Sequence, residues 1–249
     1  LEAGNGLMQL GMEVTIVDLA DRLLNLQLDE VAGNLLKKEL EKKGLSFRLG
    51  TTIKEIVSEN GHISRVIFAD DSELPADILI MAAGVRPNIQ LAEKIGLYCE
   101  KGIVVNDTMQ TFDPRIYAVG ECIQHRGDLF GLVAPVYDQA KVCANHLAGY
   151  GIAGYKRLAA ATKLKVTGVD LFSAGNFLGD ESTEEIIFQD YRLGVYKKLV
   201  VKDNRIVGIV MYGDTTDSGW YLNLMMKEHD ISAIREHLIF GQTPLPEAA

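Results

Sequence analysis

The segment Leu1 to Leu10 reads as the body of a helix, closed by Gly11, an ordinary residue past a helix end. The run Glu13-Val-Thr-Ile-Val-Asp18 is β-branched and ends on an acid, which predicts a short buried parallel strand. Val31, Ala32, Leu35, Leu36 and Leu40 then recur at helical spacing, predicting a helix over Glu30 to Lys43 with Gly44 beyond it. A strand is expected at Ser46 to Leu49. From Thr52 to Asp71 apolar and polar positions alternate about Asn60-Gly61, a hairpin signal. Asp77 to Ala83 reads as another buried strand, ending at Gly84. The order strand, helix, strand, hairpin, strand fits an α/β domain whose last crossover is a β-meander.

Beyond it the pattern predicts strands at Ile103 to Val105 and Ile116 to Ala118, then a helix from Val136 to Ala148. Gly149-Tyr-Gly-Ile-Ala-Gly154 is the best linker candidate. From about Tyr155 the chain reads as a separate α+β unit. Strands are expected at Lys163 to Ser173 and Glu185 to Tyr191, and a hairpin joins Val195–Val201 to Arg205–Tyr212 around Asp203-Asn204. Helices are expected at Ser218 to Lys227 and after Asp230, a good N-cap before Ile231, Ile234 and Leu238. The expected domains are 1–90, 91–153 and 154–249.

Composition narrows the classes. The chain has 249 residues, 47% hydrophobic and 24% charged, with a formal net charge of -9. That excludes a disordered tail and a coiled coil. An acidic chain without a basic stripe is a poor partner for nucleic acid or an anionic membrane surface, and no apolar run reaches a membrane span. Cys99, Cys122 and Cys143 form no CxxC and are too few for a disulfide framework, which points to a reducing, cytoplasmic setting. The five histidines lack metal-ligand spacing, so no metal site is expected. Leu1 is not Met, no signal peptide follows, and the chain opens inside a helix; it is expected to be a piece of a longer protein.

Three places could carry chemistry. An acid such as Asp18, at the end of the second strand of a βαβ unit, accepts hydrogen bonds from ribose hydroxyls and repels a 2′-phosphate; a helix cap or a solvated charge is the plainer alternative. Asp21-Arg22 could contact the adenine side or form an exposed ion pair. Ala82-Ala-Gly-Val-Arg-Pro-Asn88 puts small residues at a strand's carboxyl end, where a ligand can approach the backbone, and Arg86 could reach a phosphate or carboxylate. A tight turn ended by Pro87 fits the same residues. In Thr111-Phe-Asp-Pro-Arg-Ile-Tyr-Ala-Val-Gly-Glu-Cys122 a carboxylate follows Gly120. The helix near Pro135-Val136 aims its amide end at whatever fills the crevice.

In this order the pieces resemble flavin-dependent pyridine nucleotide oxidoreductases. Leu1-Glu2 through Val17-Asp18 is similar to the helix and strand after their first glycine motif. AAGVRPN resembles their second nucleotide motif, and TFDPRIYAVGEC their second FAD motif, which commonly ends Gly-Asp where this chain has Glu121. Asp21-Arg-Leu-Leu-Asn-Leu-Gln-Leu-Asp29, Leu132-Val-Ala-Pro-Val-Tyr-Asp-Gln-Ala140, Thr162 to Asp170, Tyr212 to Tyr221 and Leu238 to Gln242 resemble the large subunit of NAD(P)H-dependent assimilatory nitrite reductase. The resemblance implies partial FAD/NAD(P)-binding Rossmann-like α/β domains with a β-meander crossover and a small α+β C-terminal domain. It implies an NAD-binding domain over 1–90 lacking its first strand and glycine motif, the end of the FAD-binding domain over 91–153, and an interface domain over 154–249.

By the same resemblance Glu2 lies near the nicotinamide end. Asp18 is the ribose acid favouring NADH over NADPH. Gly84 and Val85 line the nicotinamide site. Gly120 and Glu121 bind the ribityl and pyrophosphate region of FAD, and Pro135 and Val136 sit by the flavin ring. No residue of this chain is implied as a general acid or base. The implied activity is NADH oxidation through FAD, feeding iron-sulfur and sirohaem centres or a small subunit outside this chain, with nitrite reduced to ammonia. The alternatives are a reductase of a separate carrier (rubredoxin, ferredoxin or nitrate reductase) and a catalytically silent piece. A homodimer stays open.

Overall fold

The computed structural model describes residues 1–151, 153–156 and 161–242. The chain divides into two units, Leu1–Leu79 with Ala159–Ala249, and Ile80–Leu158.

In the first unit α1 (Glu2–Gln9) lies against β1 (Thr15–Asp18), close enough that a Cβ on Gly4 would meet Ile16 Cδ1 at 3.0 Å. α2 (Glu30–Lys42) is capped by Asp29, whose carboxylate accepts the Ala32 N–H at 3.0 Å. Its Ala32, Leu36 and Leu40 are fully buried, and each buried leucine contributes on the order of 2 kcal/mol. β2 (Ser46–Leu49) runs parallel to β1, Thr15 opposite Ser46. β3 (Ile53–Glu59), β4 (His62–Phe68) and β5 (Glu73–Pro75) form the antiparallel meander. Asn60 and Gly61 turn its first hairpin at φ 53° and 81°, the positive pair that a two-residue turn demands.

The second unit holds α3 (Gln90–Lys94), then β6 (Ile103–Val105), β7 (Ile123–His125) and β8 (Asp128–Leu129) in one sheet, with β6 parallel to β7. α4 (Val133–Leu147) follows. Val105, Met109, Ile123, Phe130, Cys143 and Tyr155 make its core.

The chain then completes the first unit. β9 (Ala161–Val166), β10 (Val169–Gly175), β11 (Glu184–Asp190), β12 (Val195–Lys202) and β13 (Arg205–Tyr212) form one antiparallel sheet, ordered β11-β12-β13-β10-β9. α5 (Ser218–Met226) and a 3₁₀ turn, Leu238–Phe240, cover one face. The other face shares a core with α2, in which Leu23, Leu36 and Leu40 join Val166, Leu171, Tyr196 and Val210.

Several expectations need correction. Asp77 to Ala83 forms no strand, and Ile78, Ile80 and Met81 are exposed. Among the described residues β1 pairs only with β2, so the apolar run has no strand to join. The strand expected at Ile116 to Ala118 reduces to a single bridge between Gln110 and Tyr117, and the strand beside β6 is β7 instead. Lys163 to Ser173 is two strands, because Thr167 and Gly168 turn at φ 51° and 88°. Among the described residues no α-helix follows Asp230: its carboxylate accepts the Ser232 N–H, and 231–237 continues in i to i+3 turns. Ile152 of the expected linker lies outside the described residues, and Tyr155 is buried in the core of the second unit.

Candidate functional site

Within the second unit Val85, Arg86, Pro87, Glu121, Leu129, Phe130 and Gly131 line an open recess of about 200 Å³. Its walls are mostly apolar, with one cation and one carboxylate at the rim. Among the described residues neither Arg86 nor Glu121 is committed to an ion pair. The structure therefore brings three sequence-predicted residues to one place, Val85, Arg86 and Glu121, with Gly84 and Gly120 next to them in the chain.

The floor is rigid. Phe130 stacks edge-on against Tyr155 at 5.9 Å, and Tyr155 against His125 at 5.3 Å. His125 is buried and its Nε2 meets Asp107 Oδ1 at 2.8 Å, while Arg126 grips both oxygens of Asp107. The Arg126 guanidinium, helped by His125, holds the Asp107 carboxyl at about 2, so this anchor stays ionised throughout the neutral range. Burial pushes the Cys122 and Cys99 thiols up, which makes them poor nucleophiles at neutral pH.

The turn that presents Glu121 is set from below. Gly120 has φ 100°, a conformation that costs a side-chain-bearing residue dearly. Its N–H donates to Oε1 of Gln139 at 3.1 Å. Gln139 is wholly buried, and its Nε2 has no partner among the described residues. A flipped amide would put two donors face to face, so the orientation is fixed by Gly120 itself. An unmet buried donor costs about 1–3 kcal/mol, which an oxygen acceptor arriving beside it would recover.

The N-terminus of α4 stands on the same turn. Among the described residues no side chain caps it, and its first turn carries no acid, so its N–H groups and dipole are open to an electron-rich group. Pro135 and Val136 are half-buried in that turn, and a Cβ on Gly120 would lie 3.9 Å from Val136 Cγ1.

The remaining expected residues belong to the first unit. Asp18 is exposed at the end of β1, and its Oδ1 accepts the Ala20 N–H at 3.0 Å, while Oδ2 has no partner among the described residues. Arg22 Nε donates to Leu28 O at 3.4 Å, and Nη1 pairs with Asp21 at 3.4 Å. Glu2 is exposed in the first turn of α1. Sequence reasoning missed Leu129, Phe130 and Gly131 in the recess, and it missed Gln139. One signal was present for Gln139: it falls three residues after Val136 and four before Cys143, a polar position on the inward stripe of α4. Among the described residues no cluster of three or more metal-ligating side chains occurs, and no helix is long and apolar enough to cross a membrane.

The family model described as pyridine nucleotide-disulphide oxidoreductase matches residues 1–146, and the rubredoxin NAD+ reductase C-terminal domain matches residues 161–229. The chain is 43% identical over 248 residues to the assimilatory nitrate reductase electron transfer subunit of Bacillus subtilis (strain 168), covering 99% of this chain and 32% of that one. It is 45% identical over 232 residues to the NAD(P)H nitrite reductase of the same organism, covering 93% and 29%. The chain thus spans about a third of the length of the curated relatives it matches. Among solved structures, an NAD-dependent persulfide reductase from A. fulgidus superposes with a TM-score of 0.78 at 24% identity, over all of this chain and 49% of that one. At that identity the likeness is one of fold.

Proposed function

The chain belongs to the pyridine nucleotide-disulphide oxidoreductase family, and on that premise we propose that it is the FAD-dependent, NADH-oxidising module of a nitrite reductase. Its electrons pass to iron-sulfur and sirohaem centres outside this chain, where nitrite is reduced to ammonia. The observation that carries the flavin part is the Gly120 turn, with an unpartnered buried amide beneath it and an open helix end beside it. The nitrite part is supported by the identity to relatives with that name, which extends through the C-terminal sheet.

The residues present fit both cofactors. Apolar walls at Val85, Leu129 and Phe130 suit a planar ring, and Glu121 suits sugar hydroxyls. The bound flavin supplies the conversion of a two-electron donor, NADH, into single electrons for the next centre. The protein's part is binding and placement. Asp18 offers Oδ2 to the ribose hydroxyls of NADH and disfavours a 2′-phosphate by charge. Arg22 stands beside it on the adenine side, and Glu2 belongs to the nicotinamide end. Gly84, Val85 and Arg86 form the nicotinamide edge, with Arg86 free to meet a phosphate. Gly120 and Glu121 would hold the ribityl and pyrophosphate region, and the α4 end at Pro135 and Val136 would favour negative charge on a bound ring. No side chain need move a proton. The division at residues 90 and 153 into NAD-binding, FAD-binding and interface domains is part of this proposal, as are an electron-accepting domain or small subunit and a homodimer.

A second reading is favoured by the match of residues 161–229: a reductase of a separate carrier such as a rubredoxin. NADH-driven dye reduction by the intact protein tests the shared core of both. Steady reduction with NADH, slower with NADPH, is expected; a protein that oxidises neither nucleotide overturns the proposal.

A further inference from the structure

β12 carries two adjacent buried lysines that face opposite sides of the sheet. Lys197 pairs with Asp214 at 2.6 Å. Lys198 points to the side shared with α2, where its Nζ lies 3.1 Å from Asp29 Oδ2 and 3.0 Å from Glu185 Oε1. Two residues earlier on the same face, the Tyr196 O–H donates to Asp29 Oδ2 at 2.7 Å. Asp29 is 6% exposed, and its other oxygen caps α2 through the Ala32 N–H. One buried carboxylate therefore takes three donors, two of them from a strand about 170 residues away in the chain.

Asp29 also ends the loop that begins after Asp18. Leu23 and Leu28 of that loop are buried, at 2% and 1%, in the core that contains Tyr196. Arg22 Nε donates to Leu28 O, and Leu28 N–H closes on Leu24 O at 2.8 Å. The loop is thus short, anchored at its far end by Asp29, and carries Arg22 as well as the exit from Asp18.

We infer that Asp29, held by Tyr196 and Lys198, is a positioning residue for dinucleotide binding: the C-terminal sheet sets the geometry of the 19–28 loop. The inference rests on the proposed reading of Asp18 and Arg22 as NADH-binding residues. A buried carboxylate with a fixed direction holds a loop more tightly than apolar packing alone, because every displacement breaks hydrogen bonds that water cannot replace. The C-terminal domain is then part of the nucleotide site's framework, beyond any role as a docking surface.

The test uses the intact protein, four variants and three readouts: NADH steady-state kinetics with a dye acceptor, FAD content from the visible spectrum, and thermal melting. Tyr196→Phe removes one donor at constant shape. Asp29→Asn keeps the α2 cap, since asparagine caps as well as aspartate, but loses the charge that Lys198 meets. Each is expected to raise the NADH KM about five-fold with kcat and FAD content unchanged, the effect of one lost hydrogen bond transmitted to binding. Lys197→Met removes the other buried lysine and is expected to lower the melting temperature while leaving the NADH KM alone. Asp18→Arg separates the two claims. If Asp18→Arg raises KM and the Tyr196 and Asp29 variants do not, the positioning role is overturned and the NADH assignment stands. If Asp18→Arg leaves KM unchanged, the underlying assignment fails instead.

Discussion

Gln139 accepts the Gly120 N–H at 3.1 Å from a position with no solvent exposure, so the turn bearing Glu121 is held by a helix residue nineteen positions further along the chain. Gln139→Leu fills the space but removes the acceptor, leaving the half-buried Gly120 amide without its protein partner. The expected costs are about 1–3 kcal/mol of stability and roughly a ten-fold weaker FAD affinity. Urea unfolding and equilibrium dialysis against FAD check the pair. A variant with unchanged affinity would remove Gln139 from the account of the site.

Glu121 stands where similar flavoproteins commonly carry aspartate. The extra methylene leaves the carboxylate able to reach a sugar hydroxyl after a small shift. Glu121→Asp should keep FAD binding within a few-fold, whereas Glu121→Ala should weaken it about ten-fold or more, the scale of a charge-assisted hydrogen bond. Fluorescence quenching on FAD titration distinguishes the two. Equal losses in both variants would argue that the carboxylate makes no specific contact.

At the exit of β1 one Asp18 oxygen has no partner among the described residues. Asp18→Arg replaces the proposed ribose acceptor with a group that welcomes a 2′-phosphate. The NADH KM should rise at least about ten-fold and the NADPH KM should fall, read from initial rates with each nucleotide. Unchanged NADH kinetics would sink the ribose assignment.

Two acids lie well below their ordinary range. Asp107 is held at about 2 by Arg126 and His125, and Asp214 at about 2 by Lys197 and the Thr216 N–H. Their ordinary value is 3.8, so from about pH 4 down to pH 2 the unfolded chain binds protons that the native fold still refuses. Both contributions are present in full above pH 4 and are lost as the pH falls through that window. Urea midpoints at pH 5 and pH 3 should therefore differ, the lower being at pH 3. Lys197→Met should narrow the gap, because Asp214 then titrates nearer its ordinary value. Equal gaps in the two proteins would contradict the Lys197–Asp214 assignment.

Much of the fold could be read from local chemistry. Asn60-Gly61 and Asp203-Asn204 both adopt the left-handed backbone that their turns require, and Asp29 and Gly44 bracket α2 as their types suggest. Where the reading failed, long-range pairing decided. Ile78 to Met81 has every local mark of a buried strand, yet a strand exists only beside another, and none is offered among the described residues. Ser232 competes for the Asp230 carboxylate, and the apolar spacing of Ile231, Ile234 and Leu238 is met by successive tight turns. Of the recess lining, Val85, Arg86 and Glu121, close to glycine-marked turns, were legible. Gln139, Phe130 and the Asp29–Tyr196–Lys198 knot were not, since each acts through a partner far away in sequence that no spacing rule connects.

The most direct measurement is a visible absorption spectrum of the intact protein before and after anaerobic NADH. The account predicts flavin bands that bleach on addition of NADH, accompanied by sirohaem bands. Flavin bleaching without sirohaem would shift the assignment to a reductase of a separate carrier. A protein without flavin, or with a flavin that NADH leaves oxidised, would contradict the central claim.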